Sequence, residues 1–215
     1  MSNELIPQNS TTAAIVPYDF DAVASGDDSF LSRLQLYGSK SDAVAESKIA
    51  MGHYGIVTDG DITDVGEDVD AIVVDWRAKA LQIDGENIID EHNPKSETYK
   101  QIKALSEVKD SGCMHGPEFL LWIPSQNRFV TYFMSSKTAR RESRKVLPFL
   151  RKAVTLKCKL IVTAKYKWHG PVVIACSTPL DTPDPELLEK IIESFKNPPK
   201  SDVEVVPEDE STRVR

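Results

Sequence analysis

Residues 154–168 read Val154-Thr155-Leu156-Lys157-Cys158-Lys159-Leu160-Ile161-Val162-Thr163-Ala164-Lys165-Tyr166-Lys167-Trp168. Val154, Leu156, Cys158, Leu160, Val162, Ala164, Tyr166 and Trp168 fall on even positions, and Lys157, Lys159, Lys165 and Lys167 on odd ones. Successive side chains of a strand point to opposite faces, so the alternation predicts one apolar face and one face with four lysines. The run is long for a single strand, which leaves room for a bend or hairpin near Thr163.

Working outward, short strand signals dominate. Val172 to Cys176 reads as a buried strand, and so do His53 to Val57, Phe119 to Ile123 and Arg128 to Met134, the last two flanking a turn at Pro124 to Asn127. Ala71 to Trp76 continues toward Ala80 to Ile83, and Asp84-Gly85 before Asn87-Ile88-Ile89 is a hairpin signal. Three helices are expected. One covers Ser96 to Val108 with Tyr99, Ile102, Leu105 and Val108 as its stripe, and a short basic one covers Ser136 to Lys145. The last begins at Asp184-Pro185 and buries Leu187, Leu188, Ile191, Ile192 and Phe195. The fold class is therefore α+β and mainly β, an OB-like antiparallel barrel or curved sheet with two to three helices.

Residues 1–28 read as a flexible arm, 29–196 as one folded domain, and 197–215 as a disordered acidic tail. A chain of 215 residues can bury a real core, and no window reaches the apolar length of a membrane helix. The first twenty residues lack a basic stretch followed by an apolar one. Three widely spaced cysteines form no disulfide framework. A cytoplasmic location is expected.

Charge is segregated. Residues 137–167 carry eleven bases against the single acid Glu142, a local charge of +10 in a chain of net −7, so the remainder carries −17. Such a field attracts a polyanion. The expected nucleic-acid contacts are Lys157, Lys159, Lys165 and Lys167 on the strand, and Arg140, Arg141, Arg144 and Lys145 on the helix, with Arg151 and Lys152 between. Lysines two apart on a strand recur at roughly 7 Å, near the spacing of backbone phosphates. Single-strand binders add aromatic platforms. Candidates are Tyr132, Phe129, Phe133 and Tyr54: Tyr132 shares parity with Arg128, Phe129 and Phe133 lie on the opposite face, and Tyr166 and Trp168 fall in phase with the apolar face.

No catalytic reaction is indicated. The chain contains no Walker loop, GxGxxG, HExxH or GxSxG. Cys113-Met114-His115 reads as part of a glycine-flanked loop, but the other Cys and His residues are scattered singly, so no metal or other cofactor is expected. Asp59-Gly60-Asp61 with Asp64 reads as a polar turn rather than a calcium loop.

The run Lys152 to Leu160, followed by Lys165-Tyr166-Lys167-Trp168 and an apolar strand, resembles the late strands of OB-fold single-stranded DNA-binding proteins of tailed bacteriophages. Phe30-Leu31-Ser32-Arg33-Leu34-Gln35-Leu36 is similar to a segment of phage proteins. The resemblance implies a non-catalytic protein that coats or anneals single strands in phage replication or recombination, in the host cytoplasm. Replication or recombination proteins, and further copies of the chain, would be its partners. The tail departs from that family by ending in arginine. The competing expectation is a phage interaction protein, a virion component or an inhibitor of a host factor, applying the same basic face to an acidic protein.

Overall fold

Among the described residues, strand formers (Val, Ile, Thr and aromatics) build nine strands that join in one sheet. The computed structural model describes residues 31–85 and 87–197. The expected arm at 1–28 and nearly all of the expected tail at 197–215 lie outside the described residues. The strands are β1 (Ser32–Leu36), β2 (Tyr54–Thr58), β3 (Asp61–Gly66), β4 (Asp68–Asp84), β5 (Asn87–Glu91), β6 (Cys113–Ile123), β7 (Arg128–Phe133), β8 (Ala153–Val162) and β9 (Lys167–Ala175). Among the described residues four α-helices accompany them: α1 (Asp42–Ala45), α2 (Glu97–Leu105), α3 (Lys137–Val146) and α4 (Pro185–Lys196).

The order is β3-β2-β1-β7-β6-β4-β8-β9, with β5 also on β4. β4 is the spine. One edge pairs with β6 from Ile72 to Gln82, while the other pairs with β8 at residues 68–72 and with β5 at residues 80–84. A bulge between Val73 and Asp75 bends it. The mainly β, α+β class holds, but an all-antiparallel sheet does not: β1 and β7 run parallel. The sheet curls without closing into a barrel. Its two wings touch where Tyr54 Oη donates to the Lys157 carbonyl (3.3 Å), while Cys158 N–H, donating to the Glu67 carbonyl (2.9 Å), extends the β4–β8 ladder.

Inside the curl lies the main core, including Tyr54, Ile56, Val73, Phe119, Leu121, Val130, Tyr132, Val154 and Leu156. On the outer face α4 covers Leu120, Trp122 and Phe129 with Ile191 and Phe195. Its expected start is present, since Asp184 caps the amides of Glu186 and Leu187 and Pro185 occupies the first turn. The α2 stripe is shorter than expected. Tyr99 and Ile102 pack on Ala80 and Cys113, but the helix stops at Leu105, leaving Leu105 and Val108 exposed. Cys113 to Pro117 belongs to β6 rather than to a loop.

Candidate nucleic-acid interface

The long alternating run is a hairpin. Thr163 N–H donates to the Tyr166 carbonyl (2.9 Å), and β8 returns as β9 with Val162 opposite Lys167, Ile161 opposite Trp168 and Lys159 opposite Gly170. Cross-strand partners share a face, so the turn reverses the phase. Lys157 and Lys159 therefore share their face with Ile161 and Trp168, while Lys167 joins Leu160 and Val162 on the opposite one. Lys165 sits in the turn. The expected row of four lysines is corrected to a pair, and Trp168 moves to the lysine side. Val154 and Leu156 are core residues, but beyond Cys158 the strand leaves the core: Leu160 and Val162 are 49% and 58% exposed.

Trp168 is held from below. Its Nε1–H donates to Thr138 Oγ1 in α3 (3.3 Å), while 36% of the residue remains exposed. Gly170 makes this seat possible. A Cβ there would lie 2.9 Å from Ile161 Cδ1 and 3.0 Å from Thr138 Cγ2. Helix α3 begins with Ser136 capping the Ala139 amide and buries Ala139, Glu142, Ser143 and Val146. Helical periodicity puts Arg141 and Lys145 on the flank of Thr138, and Arg140 and Arg144 on the other flank. Lys145 Nζ lies 2.8 Å from buried Glu142, at ion-pair distance but outside hydrogen-bond geometry. Arg140 ties α3 to its surroundings, donating to the Ser135 carbonyl (2.5 Å) and pairing with Glu107 (2.9 Å).

The remaining expected contacts are not gathered here. Arg151 and Lys152 sit at the opposite end of β8, roughly 23 Å from Lys159 along an extended strand. Lys157 is already paired with Asp68 (2.6 Å). Tyr132 is 5% exposed and packs edge-on against Tyr54, with burial pushing its phenol pKa up, so it offers no ring to a base. Sequence reasoning passed over Trp168 and Tyr166, the latter 71% exposed. The signal available was Thr163-Ala164-Lys165-Tyr166 as a tight turn, which inverts parity beyond it.

A second constellation lies on the α4 face. Glu118, 2% exposed, accepts from Arg77 Nε (2.7 Å) and Lys79 Nζ (3.0 Å). Burial alone would raise its pKa, but Lys79 and Arg77 outweigh this and hold the carboxyl below its ordinary value. Lys79 also pairs with Asp90 (2.6 Å), and Arg77 Nη1 donates to the Phe195 carbonyl (2.6 Å). These groups floor a cleft of about 450 Å³ whose walls include Leu31, Val57, Leu81, Ile83 and Ile88.

His115 Nδ1 lies 2.5 Å from Ser106 Oγ, and Cys113 is buried under α2. Among the described residues no three His, Cys, Asp or Glu side chains are placed to hold a metal ion. No helix among them is long and apolar enough to cross a membrane. Comparison with family models, curated proteins and solved structures finds no match to this chain.

Proposed function

We propose that the protein binds single-stranded nucleic acid, DNA in the first instance, through the Trp168 face of the β8–β9 hairpin and the adjoining flank of α3. One observation carries the reading: a part-exposed tryptophan, anchored to a basic helix, shares a sheet face with Lys157 and Lys159. Lysines and Arg141 would neutralise phosphates while Trp168, and Tyr166 at the turn, accept unstacked bases. Duplex bases are already stacked, so this pairing of charge and ring favours single strands. The role is coating or annealing of strands in replication or recombination, without catalysis. The OB-like and phage readings rest on the sequence resemblance alone.

Fluorescence anisotropy of a labelled single strand, titrated at several salt concentrations beside the matching duplex, tests this. Tight, salt-steep binding of the single strand is expected, and Trp168→Ala should cost about 1–3 kcal/mol of it. An absence of binding at low salt would sink the reading. A basic face serving an acidic protein would then take precedence, a reading favoured by the exposed Leu160 and Val162 beside Lys167.

A further inference from the structure

We propose that the bound single strand crosses helix α3 from Trp168 to a second stacking platform at Trp76. The inference rests on the nucleic-acid reading above and names where that strand goes next. Trp76 is 39% exposed. Its cross-strand partner is Phe119, so it shares the face of Phe119 and Val73, on which α3 packs through Ala139 and Val146. β8 pairs with β4 only as far as Ile72, and β5 only from Ala80, so no strand among the described residues flanks Trp76 on that edge.

Helix α3 joins the two rings. Its first turn seats Trp168 through Thr138. At its other end a 3₁₀ turn, Leu147–Phe149, leads to a segment fastened close to Trp76. There Arg151 N–H donates to the Val73 carbonyl (2.7 Å), and Val73 N–H donates to the Lys152 carbonyl (3.1 Å). Val73 lies three residues from Trp76, roughly 10 Å along the strand. Arg151 has a φ of +61°, which glycine adopts freely and a side chain disfavours, yet the position carries a guanidinium. Exposed cations line the way, Arg141 and Lys145 on the Trp168 flank of α3 and Arg144 on the other. Arg144, Arg151 and Lys152 have no carboxylate partner among the described residues, whereas Arg140, one turn before Arg144, is tied to Glu107. Asp75, next to Trp76 in the chain, belongs to the opposite face and pairs with Lys196 (2.9 Å). An exposed ring among unpaired cations fits a polyanion with stackable bases, as the hairpin face does. A helix of ten residues is roughly 15 Å long, so a strand touching both rings spans about four nucleotides or more.

Tryptophan emission of the full chain, titrated with a labelled 30-nucleotide single strand whose anisotropy follows binding, tests it. The chain has three tryptophans, and Trp122 is buried. Trp168→Phe keeps a ring at the hairpin and makes Trp76 the one exposed indole, so its emission should still be quenched as the strand binds. Trp76→Ala should bind at least about fivefold more weakly than the parent, and Trp76→Phe nearly as well as the parent. Arg144→Gln with Arg151→Gln should lower the salt slope by about 1.4. Strand binding with unchanged emission in Trp168→Phe, or parental affinity in Trp76→Ala, would overturn the second platform alone. A parent that fails to bind the strand at low salt would overturn this inference together with the reading it rests on, and leave the surface to an acidic protein.

Discussion

Glu118 is a charged residue inside a sheet, and its tolerance depends on two neighbours on β4. Arg77 and Lys79 lie two residues apart on one face, so both reach across to β6. Removing one partner of such a cluster strands the others, and Glu118→Gln is expected to destabilise the fold by about 3 kcal/mol in urea unfolding. The pH dependence follows from the same group. Folded, Glu118 titrates below its ordinary 4.5, so protons prefer the unfolded chain, and its contribution, full above that value, is lost as pH falls through the lower, folded one. His92 and His115 are also lowered, by burial first and then by Arg77 and Arg140 respectively. Their contributions are full above pH 6.5 and fade as acid is added. Stability should therefore decline in two stages, the first as pH falls below 6.5 and the second as it falls below 4.5, and a profile flat through both would contradict the assignment.

At the scale of elements, the hairpin and its helix seat are the testable unit. Lys159→Glu should lower the salt slope of single-strand binding by about 0.7 or more, whereas Lys157→Gln should change it less, because Asp68 already neutralises Lys157. Where β6 passes the end of β7, a Cβ at Gly116 would stand 2.4 Å from the Met134 carbonyl oxygen. Gly116→Ala is expected to cost about 2 kcal/mol or more, measured as a lowered unfolding midpoint. Much at this scale was legible in sequence. The alternation of β8, the Asp184-Pro185 start of α4 and the Asp84-Gly85 reversal each rest on local chemistry that tertiary context did not override. β3 was not legible, because Asp61 and Asp64 make it read as a turn; its order comes from antiparallel pairing with β2. The basic site was legible in composition but not in geometry. Parity assigns a residue to a face only until the chain turns, and the reversal at Thr163–Tyr166 exchanged the places of Lys167 and Trp168.

Across the whole molecule, the net charge of −7 conceals a division of labour. β2 and β3 with their turn carry Asp59, Asp61 and Asp64, and β4 opens with Asp68 and Asp70, while α3 and the hairpin carry the bases. This anionic protein should therefore be retained by a polyanionic column at low salt, and the triple change Lys159, Lys165 and Lys167→Glu should release it. The parallel seam between β1 and β7 has a different consequence, in time. Ser32 pairs with Val130, so the first strand among the described residues lies inside the sheet beside one made about a hundred residues later. A ribosome adding roughly 5–20 residues per second leaves the β1–β3 meander waiting for seconds, with the β1 edge open, before its neighbour emerges. Nascent chains of this protein therefore depend on whatever shields that edge during synthesis.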